Sequence, residues 1–326
     1  MKTTMKNKPT IIEKRKVAAR RLRFRLAAAV FLFLLILQSF VISLTGSEGY
    51  VFRKLSGAFG ISDFSLNACD YELSVSFVDV GKADCILIRS EKSNIMIDCG
   101  EYSLEGKALD YLKKTGTDRI DVFIASHTDS DHIGDFASVA DNITIGDVWL
   151  SGSHRDVPAK TEDERILFDR IKEHGIDIFY PEEKTYKIGD MILEVLSSGG
   201  QKTENNNSLV IRMRYKEITC LFTGDAEKQV EKKLISSGKE LKADVYKIAH
   251  HGSNSSTTEA FLKAVSPECA VITSDSKNKY LPSRPVTDRL REYGCRVLRT
   301  DKCGTIIMGT DGKRINILTE KTEGEK

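Results

Sequence analysis

Residues 126–135 read Ser-His-Thr-Asp-Ser-Asp-His-Ile-Gly-Asp, which sets His127, Asp129, Asp131 and His132 within six positions. Imidazole and carboxylate are the donors that borderline and hard divalent cations take. The segment follows an apolar, β-branched run, Ile120-Asp121-Val122-Phe123-Ile124-Ala125. A strand that ends in a tight turn aims alternate side chains at one point, so one loop can fill most of two adjacent metal shells. Asp, Ser and Thr are also common turn formers, but a solvated polar loop gives no reason for two His and two Asp at this density.

The elements that must hold this loop read as strands and helices in alternation. Strands are expected over 74–78, 85–88, 94–97, 120–125, 148–150, 177–179, 192–196, 209–215, 219–222, 245–249 and 270–273, with terminal strands after 293. Helices are expected over 108–114, 162–174, 226–236, 257–264 and 285–293. Asp225 on its own reads as an N-cap for the helix over 226–236. Strand clusters alternating with helices in two similar halves predict two sheets face to face with helices outside.

Several segments in order resemble the metallo-β-lactamase fold, whose signature H-x-H-x-D-H appears here as H-x-D-x-D-H. That variant is similar to the ComEC-type hydrolase domain of competence proteins. Phe77-Val78-Asp79-Val80-Gly81-Lys82-Ala83-Asp84 resembles F-x-D-V-G-Q-G-D, and Ile97-Asp98-Cys99-Gly100 resembles the I-D-C/T-G strand end. Asn205-Asn206-Asn207-Ser208-Leu209-Val210, Leu221-Phe222-Thr223-Gly224-Asp225-Ala226 and the block Ala243 to Ser253, which holds His250-His251-Gly252, match N-N-x-S-L-V, L-x-T-G-D-A and A-D-V-L-K-x-x-H-H-G-S. Two departures stand out. Lys82-Ala83 replaces Gln-Gly, and the late N-x-Y-x-H-P appears as Asn278-Lys279-Tyr280-Leu281-Pro282-Ser283, without its His.

The resemblance implies an α/β fold, a four-layer αββα sandwich, over residues 71–318. It also implies two divalent metal ions, zinc or manganese. His127 and Asp129 would hold the first metal, Asp131 and His132 the second, and Asp225 would bridge them. One of His250 and His251 would complete the second shell while the other faces substrate. The first shell lacks the mid-chain His of other relatives; Asn205, Asn206 and Asn207 stand in that place. With Asp129 also replacing a His, the first site is oxygen-rich, which tilts selectivity from zinc toward manganese or magnesium. His154 and His174 lie between motifs and read as solvated. Lys247 and Lys279 are positioned to add charge, although a lone Lys is usually solvated.

Two cations at such a site activate a water held between them and clamp the attacked and leaving oxygens. Asp131 would ligate and orient that water, and an attacked phosphodiester, more negative in its transition state, suits two dications and an adjacent imidazole. The resemblance to the ComEC-type domain implies a nuclease or phosphodiesterase, acting on single-stranded nucleic acid or another diester. The alternatives are an esterase on a small extracellular or cell-wall diester such as phosphorylcholine, and a tethered binding or regulatory module without catalysis.

Charge divides the chain. The 326 residues carry +2 in total, yet residues 1–25 hold ten Lys/Arg against one acid, leaving −7 on the remaining 301. An acidic domain without a basic stripe argues against tight duplex binding, which depends on neutralising phosphates. Residues 26–45 are uncharged, and twenty residues of helix span roughly 30 Å, a bilayer's hydrocarbon thickness. Arg20, Arg21, Arg23 and Arg25 precede them, so the expectation is a basic cytoplasmic tail (1–25), one transmembrane anchor (26–45) in the lipid bilayer, a stalk (46–70), an extracytoplasmic domain (71–318) and a short tail (319–326). A cleaved signal with secretion is the alternative, disfavoured by the length of the apolar run and the lack of a clear cleavage site. Seven cysteines leave at least one unpaired; Cys85, Cys99, Cys220 and Cys269 read as buried hydrophobes, and Cys295–Cys303 is the suspected pair.

Overall fold

The computed structural model describes residues 64–102 and 106–321. The expected tail and anchor lie outside these residues; among the described residues no helix is long and apolar enough to cross a membrane. The expected stalk is described only over Phe64–Asp70, which is a 3-10 helix rather than open linker. Arg89 ties it down by donating both to Cys69 Sγ and to the carbonyl of Thr115.

Fifteen strands form among the described residues. The first eight are β1 Leu73–Phe77, β2 Cys85–Ser90, β3 Asn94–Cys99, β4 Arg119–Ile124, β5 Thr144–Trp149, β6 Asp177–Phe179, β7 Thr185–Ile188 and β8 Met191–Ser197. The rest are β9 Val210–Tyr215, β10 Ile218–Phe222, β11 Val245–Lys247, β12 Cys269–Ile272, β13 Arg296–Arg299, β14 Ile306–Thr310 and β15 Ile315–Thr319. One sheet has the order β15-β14-β1-β2-β3-β4-β5-β6, the other β13-β12-β11-β10-β9-β8-β7. Each is antiparallel in one part and parallel in the other: β3 to β6 and β10 to β13 run parallel.

Side-chain alternation builds the layers. Val122 and Ile124 on β4 point into the core between the sheets, where they join Ile211 and Met213 of β9 and Cys220 and Phe222 of β10. Their neighbours face outward, as Phe123 and Leu221 show. Strands buried on both faces need near-continuous apolar runs, which is why the sequence pattern is strong here. Outside the first sheet lie helices α1 (Lys107–Lys114), α2 (Ser130–Ile133), α3 (Phe136–Ala140) and α4 (Glu162–His174), with Tyr111, Phe136, Leu167 and Ile171 packed on Leu87, Met96 and Phe123. Outside the second lie α5 (Lys228–Ser236), α6 (Glu259–Val265) and α7 (Arg284–Tyr293), whose Leu234, Phe261 and Leu290 pack on Tyr246 and Ile272. Three apolar seams between helices, sheet, sheet and helices make the expected sandwich.

Four details depart from the sequence reading. β7 was not expected; it is a short edge strand, paired with β8 around a Gly189-Asp190 turn. The terminal strands β14 and β15 do not extend the second half but return to the first sheet beside β1. Helix α5 begins at Lys228 with Glu227 at its N-cap, so Asp225 does not cap it. The suspected Cys295–Cys303 disulfide does not form: Cys303 packs between the sheets and Cys295 lies half-buried after α7. Cys85, Cys99, Cys220 and Cys269 are buried, as expected of small hydrophobes.

Candidate metal centre

The parallel strands of both sheets deliver their C-terminal ends to one place. After β4 comes Ser126-His127-Thr128-Asp129 leading into α2; after β10 comes Thr223-Gly224-Asp225; after β11 comes the 3-10 turn Ala249–Gly252. There the strand expected to run to 249 has already ended. His250 and His251 both sit in the left-handed region, at φ 51°, a strained conformation for residues with a Cβ and one that clusters at functional sites. A bond from His250 N to the Gly224 carbonyl (3.2 Å) joins the second and third loops.

The first loop is pinned from below by Asp98, at the end of β3. Its carboxylate accepts from Ser126 N and Ser126 Oγ, each at 2.7 Å, and stands 2.8 Å from His132 Nδ1. With Nδ1 engaged, His132 Nε2 faces the centre, 3.4 Å from Asp225 Oδ1 and 3.8 Å from Asp131 Oδ1. Burial alone would depress the imidazole's pKa, but Asp98 and Asp225 on its two sides hold it well above the usual histidine range.

The second loop needs its glycine. Gly224 lies at φ +51°, and a Cβ there would sit 2.8 Å from the hydroxyls of both Ser126 and Ser208. Ser208 Oγ accepts from Asp225 N at 3.0 Å and so fixes the carboxylate. Burial pushes the Asp225 pKa up, yet His132, His251 and His127 together hold it well below the carboxylate norm. Asp131 behaves alike: burial raises it, and His251, His132 and Lys82 bring it far below its ordinary value.

His251 is wholly buried and held from behind. Its Nδ1 lies 3.0 Å from Thr273 Oγ1 and 3.2 Å from the Thr273 carbonyl, while Nε2 is 3.3 Å from Asp131 Oδ2. Thr273 in turn donates to Asp84 (2.5 Å), and Asp84 pairs with Lys247 at 2.8 Å, both 1% exposed. Burial raises the Asp84 pKa, and Lys247 and His251 more than offset it. Lys247 is therefore a buried counter-ion rather than a charge offered to substrate. Lys279 is exposed. His250 differs from its neighbour: its side chain is 23% exposed and its Nε2 is 3.6 Å from Asp225 Oδ2. Burial, the largest influence, lowers its pKa. The geometry thus separates the two histidines that the sequence left open.

The residues fit a metal on an independent observation. Of the ten buried side-chain atoms without a hydrogen-bond partner among the described residues, four converge at this centre: His127 Nε2, His132 Nε2, Asp225 Oδ1 and His251 Nε2. Unpaired buried polar atoms are costly, and here they lie among groups close enough to share ions. His127, His132 and Asp225 form one such group, and Asp131, His132 and His251 another. Asp129 stands at the open side, 3.3 Å from His127 Nε2 and 44% exposed. Of the three asparagines, Asn206 braces the Glu227 backbone and side chain and Asn207 accepts from Gln201 N. Only Asn205 reaches the centre, its amide 3.4 Å from His250 Nδ1.

Two residues carry more than the sequence reading gave them. Lys82 reaches in from the β1–β2 loop and places Nζ 2.5 Å from Asp131 Oδ2. His154, expected to be solvated, is buried; its Nε2 lies 3.0 Å from Glu204 Oε1 and its Nδ1 3.7 Å from Glu164 Oε1. Thr128, inside the metal loop, donates to Glu164 at 2.6 Å, so this cluster braces the loop. His174 is exposed and pairs with Asp141.

Comparison with known proteins agrees with this geometry. The profile of the Metallo-beta-lactamase superfamily matches residues 78–273. The chain is 30% identical over 257 residues to ComE operon protein 3 of Bacillus subtilis, covering 72% of this chain and 33% of that protein. It is 30% identical over 242 residues to Competence protein ComA of Neisseria gonorrhoeae, covering 73% and 32%. It therefore spans about a third of the length of these curated relatives. Among solved structures, CmlA, a diiron β-hydroxylase from Streptomyces venezuelae, is alike in fold at TM-score 0.50 and 14% identity, over 77% of this chain and 58% of that one. Profile, relatives and the converging loops together place the chain in the metallo-β-lactamase superfamily.

Proposed function

We propose that this chain is a metal-dependent hydrolase that cleaves phosphoric diesters, with single-stranded nucleic acid or its fragments as the substrate class. The observation that carries the reading is the set of four unpaired buried donors on His127, His132, Asp225 and His251. In this reading His127, Asp129 and Asp225, with Asn205 at the edge, would hold one divalent ion, and Asp131, His132 and His251 beside Asp225 would hold another. A first shell rich in oxygen favours manganese over zinc there.

When bound, a pair of divalent cations supplies Lewis acidity and a water activated near neutral pH. The chain's own residues do the positioning. Asp98 and Thr273 fix the rings of His132 and His251, and Ser208 fixes Asp225. His250, on the rim, is placed to donate a hydrogen bond to the oxygen on which charge develops. The run over 26–45, with arginines before it, supports a single-pass anchor in the cell membrane with the hydrolase domain outside. A phosphodiesterase in that place meets extracytoplasmic nucleic acid.

The test is metal content together with hydrolysis of bis-p-nitrophenyl phosphate and single-stranded DNA by the full chain, wild type against Asp131→Ala. About two metals per chain and turnover abolished by the substitution support the reading. A folded, metal-loaded chain that cleaves neither substrate overturns it.

A further inference from the structure

Exposure divides the centre into a floor and a rim. The side chains of His127, His132 and His251 are fully buried and that of Asp225 nearly so, whereas Lys82, Asp129 and His250 are 36%, 44% and 23% exposed. A substrate must enter past the rim. Of these three rim groups Lys82 is the permanent cation, and its charge is what distinguishes this chain from the neutral Gln of the motif it resembles.

We propose that Lys82 selects an anionic diester at this centre, its ammonium moving from Asp131 to a non-bridging oxygen of the incoming phosphate. Asp129, Asp131 and Asp225 would be engaged by metal, which leaves Lys82 as the protein's own cation at the entrance for an anionic oxygen. Lys82 has the reach, since Nζ already lies 2.5 Å from Asp131 Oδ2. It also has the freedom, since more than a third of its side chain is open to solvent. A metal held by Asp131 would weaken that carboxylate's hold on Lys82 and leave the ammonium free to meet substrate. A lysine acts here as a compact point charge, so it confers preference for anionic oxygen without fixing what the ester carries.

The inference rests on the phosphodiesterase reading, and its test separates the two. The full chain, loaded with manganese, is compared as wild type, Lys82→Gln and Lys82→Arg. The substrates are bis-p-nitrophenyl phosphate and its uncharged methyl triester, which share a leaving group and differ by one charge. Binding of inorganic phosphate is measured by calorimetry as a readout apart from turnover. Lys82→Gln is expected to raise KM for the diester and the Kd of phosphate by about 10- to 100-fold, the worth of one charge-assisted hydrogen bond. Turnover of the triester falls much less than that of the diester, and Lys82→Arg recovers part of the loss. Equal effects on diester and triester overturn the proposal. So does a rise in metal content with unchanged phosphate affinity, which makes Lys82 a competitor for Asp131. If the wild type cleaves neither ester, the phosphodiesterase reading falls while phosphate binding still decides the role of Lys82.

Discussion

Asp98 and His132 form a pair sealed from solvent, Oδ2 to Nδ1 at 2.8 Å, with both side chains at 0% exposure. The same carboxylate holds the backbone and hydroxyl of Ser126. One residue thus sets both the course of the metal loop and the ring that closes it. The carboxylate on Nδ1 fixes the ring so that Nε2 faces Asp225, the orientation from which it would bind a metal once deprotonated.

Asp98→Asn keeps the shape and removes the charge. Metal affinity is expected to fall about 10- to 100-fold, read by titration with manganese or zinc. Asp98→Ala goes further and leaves the Ser126 donors without a buried partner. It is expected to cost about 1–3 kcal/mol of stability in the metal-free chain, read by urea unfolding. Unchanged metal affinity in Asp98→Asn would remove Asp98 from the support of the centre.

How much of this was legible follows from the range of each contact. The decapeptide around His127–His132 and the alternation of β4 and β10 are local patterns, and the structure gathers those residues as the sequence reading expected. The return of β14 to β1 is not local, since Phe77 pairs with Ile306 across the whole domain. His154 illustrates the same point. Nothing beside it foretells burial, because its partners are Glu164, whose other oxygen serves the capping box with Thr161, and Glu204 from a distant 3-10 turn. Asp84 and Asp98 were visible as motif members, but what they hold depends on Lys247, Thr273 and Ser126 arriving from other strands. Asp225 carries two readings in the sequence, a metal bridge by resemblance and a helix cap on its own; Glu227 takes the cap position and Asp225 turns inward beside His127 and His132.

The two adjacent histidines are expected to fail differently. His251→Ala removes a buried donor 3.3 Å from Asp131, so metal stoichiometry should drop along with turnover. His250→Ala removes a partly exposed group on the rim. Metal content should hold while kcat falls by about 10²- to 10³-fold, the usual loss for one donor to developing negative charge. Metal analysis beside steady-state kinetics separates the two, and the reverse pattern would exchange their roles.

The brace behind the metal loop should show itself in pH dependence. Burial pushes the Glu204 pKa up, but bonding and attraction to His154, with help from Thr128, outweigh it and bring the value from 4.5 to about 2. A carboxylate depressed in the folded state binds protons more weakly there than in the unfolded chain, so it stabilises the fold above the unfolded value. That contribution is complete above about pH 4.5 and is lost as pH falls toward 2. The shift corresponds to at most about 3 kcal/mol, less what solvent screening removes at a side chain 23% exposed. Glu204→Gln cannot ionise and cannot lose that stabilisation. Urea midpoints of wild type and Glu204→Gln, taken from pH 7 to pH 2.5, should therefore differ most at neutral pH and converge on acidification. A difference that stays constant across that range would show that Glu204 packs against Thr128 and His154 without its charge contributing to stability.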